Sequence, residues 1–127
     1  MKPIRLTLLR DEFSIHRLPA DAQVPVAVFD CPFYSVSRTA DEVSIVVPET
    51  VKLESTRQEP GWACLKVMGP LDFGLTGILA GISKVLAEEG ISIFAISTFD
   101  TDYILIKKSV KDQAKMALTA AGYQFMH

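Results

Sequence analysis

The apolar residues Leu75, Ile78, Leu79, Ile82, Val85 and Leu86 recur at helical spacing, and the run ends at Gly90. A helix with one apolar stripe must bury it against a second layer. The flanking segments supply strands for that layer. Ahead of the stripe, "WACLKVMG" has the composition of a buried strand stopped by Gly69-Pro70. Behind it, "ISIFAISTF" and "YILIKK" read as two strands joined by the hairpin-length "DTD". Ser109, with Asp112 three residues on, suits the start of a second helix whose apolar face is Val110, Ala114, Ala117, Leu118 and Ala121. Gly122 ends that helix, and "YQFM" is a short last strand. The order βαββαβ predicts an α+β fold of the ferredoxin-like, split βαβ kind. Gly90 fits the left-handed position just past a helix end. Gly77 and Gly81 lie inside the expected helix, where each costs roughly 1 kcal/mol against alanine. Close approach of the helix to a sheet or a ligand would offset that cost.

The first sixty residues are less regular. "IRLTLL" and "FSIHRL" read as a hairpin around "RDE", and "FYSVSRT" and "VSIVVP" as another around "ADE". The stretch "PADAQVPVAVFDCP" carries prolines and no helical stripe, and the charged "ETVKLESTRQEPG" reads as a linker. This half supplies strands without helices to cover them, so it is expected to pack against the rear half.

Composition narrows the class. The chain has 127 residues, 49% hydrophobic and 22% charged, enough to bury a core without a disulfide framework. A net charge of −2 with no basic block argues against nucleic acid or an anionic membrane as the main partner. "MKPIRLTLLRDEF" lacks the apolar core and cleavage site of a secretory signal. No apolar run reaches the ~20 residues of a spanning helix, so the expected location is cytoplasmic. Cys31 and Cys64 fit no CxxC spacing.

Little here suggests catalysis. His16 alternates with Ile15 on an expected strand, where a lone histidine is ordinarily a surface residue. Cys64 lies among apolar strand residues and behaves as a small hydrophobe. No zinc spacing, phosphate loop or hydrolase elbow is present, so neither a catalytic residue, a metal nor a cofactor is expected. Two segments are more suggestive. In "TFDTDY", Asp100 and Asp102 would face the same side of an extended strand. They are either solvated turn residues or carboxylates that hold a ligand's cation. In "GPLDFGLTG", the expected helix N-terminus presents free N–H groups suited to a carboxylate, while Asp72 reads equally well as the helix's own N-cap. Thr76 is either a hydroxyl donor or a surface residue. An anion-accepting helix end beside an acidic strand end matches a free amino acid.

The stretch "GPLDFGLTGILAGISKVLAEEGISIFAISTFDTDYILIKK" resembles the ACT domains, small regulatory modules that bind amino acids. It is most like the aspartokinase-type branch and the CASTOR arginine sensors, chiefly through a helix ending in glycine followed by "ISIFAIST". The resemblance covers residues 62–126. Residues 61–127 are expected to form the ACT domain, and residues 1–60 resemble the degenerate first repeat of small tandem ACT-like proteins. The resemblance implies non-catalytic amino-acid sensing, with the ligand at an interface between modules. Leu71, Asp72, Phe73, Gly74 and Thr76 would form the loop side of that site. Thr98, Phe99 and Asp102 match positions that line the arginine site, with Asp102 meeting a basic side chain and Asp100 beside it. A homodimer and an unidentified downstream protein are also implied. The alternative is a ligand-free dimerisation module. On the sensing reading, Asp102→Ala costs about 1.5–3 kcal/mol of affinity for a basic amino acid, measurable by calorimetric titration. An unchanged affinity would remove Asp102 from the site.

Overall fold

A computed structural model of the chain describes residues 3–69 and 77–126. In chain order its elements are β1 (Arg5–Leu8), β2 (Phe13–Leu18), a 3-10 turn (Val26–Asp30), β3 (Ser35–Arg38), β4 (Val43–Pro48), β5 (Arg57–Val67), α1 (Ile78–Glu88), β6 (Phe94–Ser97), β7 (Asp102–Lys107), a 3-10 turn (Lys108–Val110), α2 (Lys111–Ala120) and β8 (Gln124–Met126). They fall into two compact units, Met1–Arg10 with Ala63–His127, and Asp11–Trp62. The expected division into 1–60 and 61–127 differs from this at the front, because the first ten residues belong with the rear unit.

From β5 onward the rear unit has the βαββαβ order of a ferredoxin-like α+β fold. β7 lies between β5 and β6. β1 pairs antiparallel with β5, Leu6 opposite Val67, and parallel with β8, Leu6 opposite Phe125. The first strand of the chain is therefore inserted between the first and last strands of the βαββαβ series. This corrects the expected hairpin around "RDE". Leu6 gains full burial between Val67 and Phe125, and nothing in the local sequence names those partners.

The core of this unit joins Leu6, Ala63, Leu65 and Val67 from β1 and β5 with Ile104 and Ile106 from β7. Ile82 and Leu86 of α1 and Ala114 and Leu118 of α2 close it from the helical side. Fully burying a leucine- or isoleucine-sized side chain contributes ~1.5–3 kcal/mol, so this layer is the main stabilising term of the unit. Leu105 is also fully buried, so β7 is covered on both faces, as its unbroken apolar run foreshadows.

The front unit keeps the expected β3–β4 hairpin, with Ser35 opposite Val46 and Arg38 opposite Val43. β2 pairs with β4 along its whole length and with the first part of β5. The last five residues of the expected linker are thus strand. Between Phe13↔Trp62 and Ile15↔Glu59, β5 advances one residue more than β2. Pro60 and Gly61 occupy that bulge, Gly61 at φ 83°, and the Gly61 N–H donates to Glu49 Oε1 at 2.9 Å. The core here is Leu18, Val28, Val43, Ile45 and Val47.

Both helices stop as their glycines predict. The Ile91 N–H donates to the Leu86 carbonyl and the Gly90 N–H to that of Ala87, with Gly90 at φ 72°. Tyr123 and Gly122 repeat the pattern on Leu118 and Thr119. The starts differ from expectation. Val110 caps α2 without a side-chain bond, and Ser109 lies in the preceding 3-10 turn. Gly77 caps α1 in the left-handed region at φ 80°, so it stands at the helix entrance rather than inside. Gly81 is inside, and a Cβ there would sit 2.8 Å from the Tyr123 hydroxyl. Close approach explains this glycine. Overpacking against that hydroxyl costs about 1–3 kcal/mol, partly offset by the ~1 kcal/mol alanine gains over glycine inside a helix. Gly81→Ala should therefore leave the protein modestly destabilised, read by urea unfolding. Combining it with Tyr123→Phe, which removes the clashing oxygen, should recover much of the loss.

Candidate functional site

The β6–β7 connection is a four-residue turn, Thr98–Phe99–Asp100–Thr101, closed by the pair Ser97↔Asp102. The Thr98 N–H donates to the Thr101 carbonyl at 2.8 Å. The Thr98 hydroxyl donates to the same carbonyl at 3.0 Å and accepts the Thr101 N–H at 3.3 Å. The Ser97 hydroxyl donates to Asp102 Oδ1 at 2.6 Å. Thr101 is buried, and its hydroxyl donates to the Val67 carbonyl at 2.6 Å. The turn is therefore tied both to itself and to the end of β5.

Beside it lies a pocket of about 230 Å³ lined by Lys66, Met68, Gly69, Thr98, Asp100, Thr101 and Tyr103. One wall is the end of β5 and the other is the turn with the start of β7. Lys66 Nζ sits 5.9 Å from the centre of the Tyr103 ring, a cation–π distance. Asp100 is exposed on the turn. The pocket thus carries one positive and one negative group.

The structure sorts the residues expected from sequence. Thr98 and Asp100 line the pocket. Thr98 has spent its single hydroxyl proton on the turn, so it shapes the wall more than it offers a donor. Asp102 opens β7, is half-buried and has one oxygen engaged by Ser97; it is not among the lining residues. Phe99 is exposed at the tip of the turn. Asp100 and Asp102 do not form a same-side strand pair, because Asp100 belongs to the turn. Leu71, Asp72, Phe73, Gly74 and Thr76 lie outside the described residues, and the N-cap of α1 is Gly77, not Asp72. Lys66, Thr101 and Tyr103 were not anticipated. A lone lysine in the otherwise apolar "WACLKVMG" was the available signal for the first.

The other candidate groups are unsuited to chemistry. Burial pushes the Cys64 thiol up to about 12. Burial, Asp30 and Asp11 raise that of Cys31, so neither is an activated nucleophile. Among the described residues, no cluster of three or more His, Cys, Asp or Glu is arranged to hold a metal. No helix among them is long and apolar enough to cross a membrane.

A profile of the ACT domain matches residues 57–120. The chain belongs to the ACT-domain family. A separate profile, describing an N-terminal domain, matches residues 11–52, within the front unit. This ACT-domain protein is similar throughout to an Agobacterium tumefaciens protein of known crystal structure. The identity is 34% and the TM-score 0.91, over 99% of this chain and 94% of the other. It is also 31% identical over 91 residues to the human putative protein CASTOR3P, covering 61% of this chain and 56% of that protein's length. The ligand-free regulatory subunit of aspartate kinase from Thermus thermophilus shares the fold. Its TM-score is 0.66 at 14% identity, over 91% of this chain and 95% of that one.

His16 is a further titratable feature of the ACT-domain protein. It is buried, against the surface position expected of it, with Nδ1 3.0 Å from the Ser55 hydroxyl. Nε2 has no partner among the described residues. Burial first, then Lys52, lowers its pKa below the usual 6.5. Between about pH 6.5 and the lowered folded value, the unfolded chain binds a proton that the folded chain refuses. The stability linked to His16 is therefore complete above about pH 6.5 and is lost as pH falls below it. Urea midpoints measured at intervals from about pH 7.5 to pH 5 should fall with acid. His16→Gln should flatten that dependence.

Proposed function

We propose that this ACT-domain protein is a non-catalytic regulatory module that binds a free amino acid in the pocket between the end of β5 and the β6–β7 turn. The observation that carries the reading is the placing of Lys66 and Asp100 on one pocket of about 230 Å³. A zwitterion presents the complementary pair, its carboxylate to Lys66 and its ammonium to Asp100, each contact a charge-assisted hydrogen bond. Met68 and Tyr103 supply apolar surface for a short side chain. Asp102, and Leu71, Asp72, Phe73, Gly74 and Thr76, are proposed to contribute further ligand contacts. A basic ligand would engage Asp102 with its side chain. The output is proposed to pass through a second copy of the chain or a downstream protein.

Thermal unfolding against each of the twenty amino acids at millimolar concentration tests this directly. A ligand present at a hundred times its dissociation constant adds ~2.7 kcal/mol of stability, which raises the melting temperature of a chain this size by roughly 5–10 °C. Lys66→Ala and Asp100→Asn should each weaken binding about tenfold or more. Indifference to all twenty, together with concentration-dependent association, would favour a ligand-free dimerisation module instead.

A further inference from the structure

We infer that Thr101 is a positioning residue, whose buried hydroxyl fixes the width of the pocket by holding the Asp100 turn to the end of β5. The inference rests on the reading of that pocket as an amino-acid site. The two walls come from segments far apart in sequence: Lys66, Met68 and Gly69 on one side, Thr98, Asp100 and Thr101 on the other. The Thr101 hydroxyl joins them directly, reaching the Val67 carbonyl at 2.6 Å across 34 residues of chain. Val67 lies between Lys66 and Met68, so the bond is anchored in the wall that carries the cation.

The turn in turn hangs from Thr101. Its carbonyl receives both the N–H and the hydroxyl proton of Thr98, and its own N–H returns to the Thr98 oxygen. Asp100 sits between these two threonines, so the Thr101–Val67 bond adds to the pairing of β7 with β5 in setting its position relative to Lys66. β6 has β7 as its only partner strand among the described residues, so the β6 side of the hairpin offers no second anchor among those strands. Among the described residues there is no ion pair between Lys66 and Asp100. The tether holds the two charges on opposite walls, where a zwitterion can lie between them with little rearrangement on binding.

Valine is close to threonine in shape and lacks the donor, whereas serine keeps it. Thr101→Val should weaken binding of the free amino acids that stabilise the wild type by about tenfold, the effect of a lost buried hydrogen bond. Thr101→Ser should bind nearly as the wild type does. Because Thr101 acts through Asp100, Thr101→Val and Asp100→Asn should not multiply when combined. Wild-type affinity in Thr101→Val, or fully multiplicative losses, would overturn the inference. Amide hydrogen exchange of the ligand-free protein reads the tether without any ligand. Faster exchange at the Thr98 N–H in Thr101→Val, restored in Thr101→Ser, supports it, and unchanged exchange overturns it. Should no amino acid bind the wild type, the functional reading falls while the exchange result still judges the tether.

Discussion

Burial of one apolar layer between the two helices and the strands β1, β5 and β7 governs the rear unit. Leu6, Leu65, Val67, Ile104 and Ile106 face Ile82, Leu86, Ala114 and Leu118, and each of these residues is almost wholly removed from water. Side chains alternate along a strand, so this layer also fixes register: a slip of one residue in β7 would turn Ile104 and Ile106 away from the helices. Lys66 and Tyr103 take the opposite parity, which carries them away from that layer and into the pocket. The charged side of the site is thus a by-product of the same alternation that builds the core.

Local chemistry was the legible part of the sequence. The stripe of α1 and the glycines at 90 and 122 fix where the helices run and end, because an apolar period and a left-handed residue act within a few positions. The place of β1 was not legible. Leu6 and Leu8 would suit many partners, and the strands that pair with β1 lie more than fifty residues away. The stretch "TRQEPG" read as linker for a related reason. Proline and glycine usually break strands, and only the partner β2 reveals that here they form a bulge. His16 was misjudged because the cover over its strand comes from segments with no regular pattern.

The candidate site was legible in kind but not in detail. "TFDTDY" combines a turn with one wall of a pocket. Residue types alone do not show which polar atoms are already spent. Thr98 and Asp102 are engaged by neighbours within the hairpin, whereas Asp100 and Lys66 line the pocket without such a bond in the hairpin. Thr101 looks interchangeable with Thr98 in sequence, yet only Thr101 reaches across to Val67.

The inserted first strand has a consequence for how the molecule is made. β1 emerges from the ribosome ahead of the front unit, whereas its neighbours β5 and β8 are completed only after that unit. Its parallel pairing with β8 closes a loop of more than a hundred residues, among the slowest kinds of contact to form. The front unit, whose pairings all lie within residues 11–62, can form while that strand is still waiting. Completion of the sheet at β1 therefore waits for a strand made more than a hundred residues later, so the rear unit can close only after the whole front unit has been synthesised.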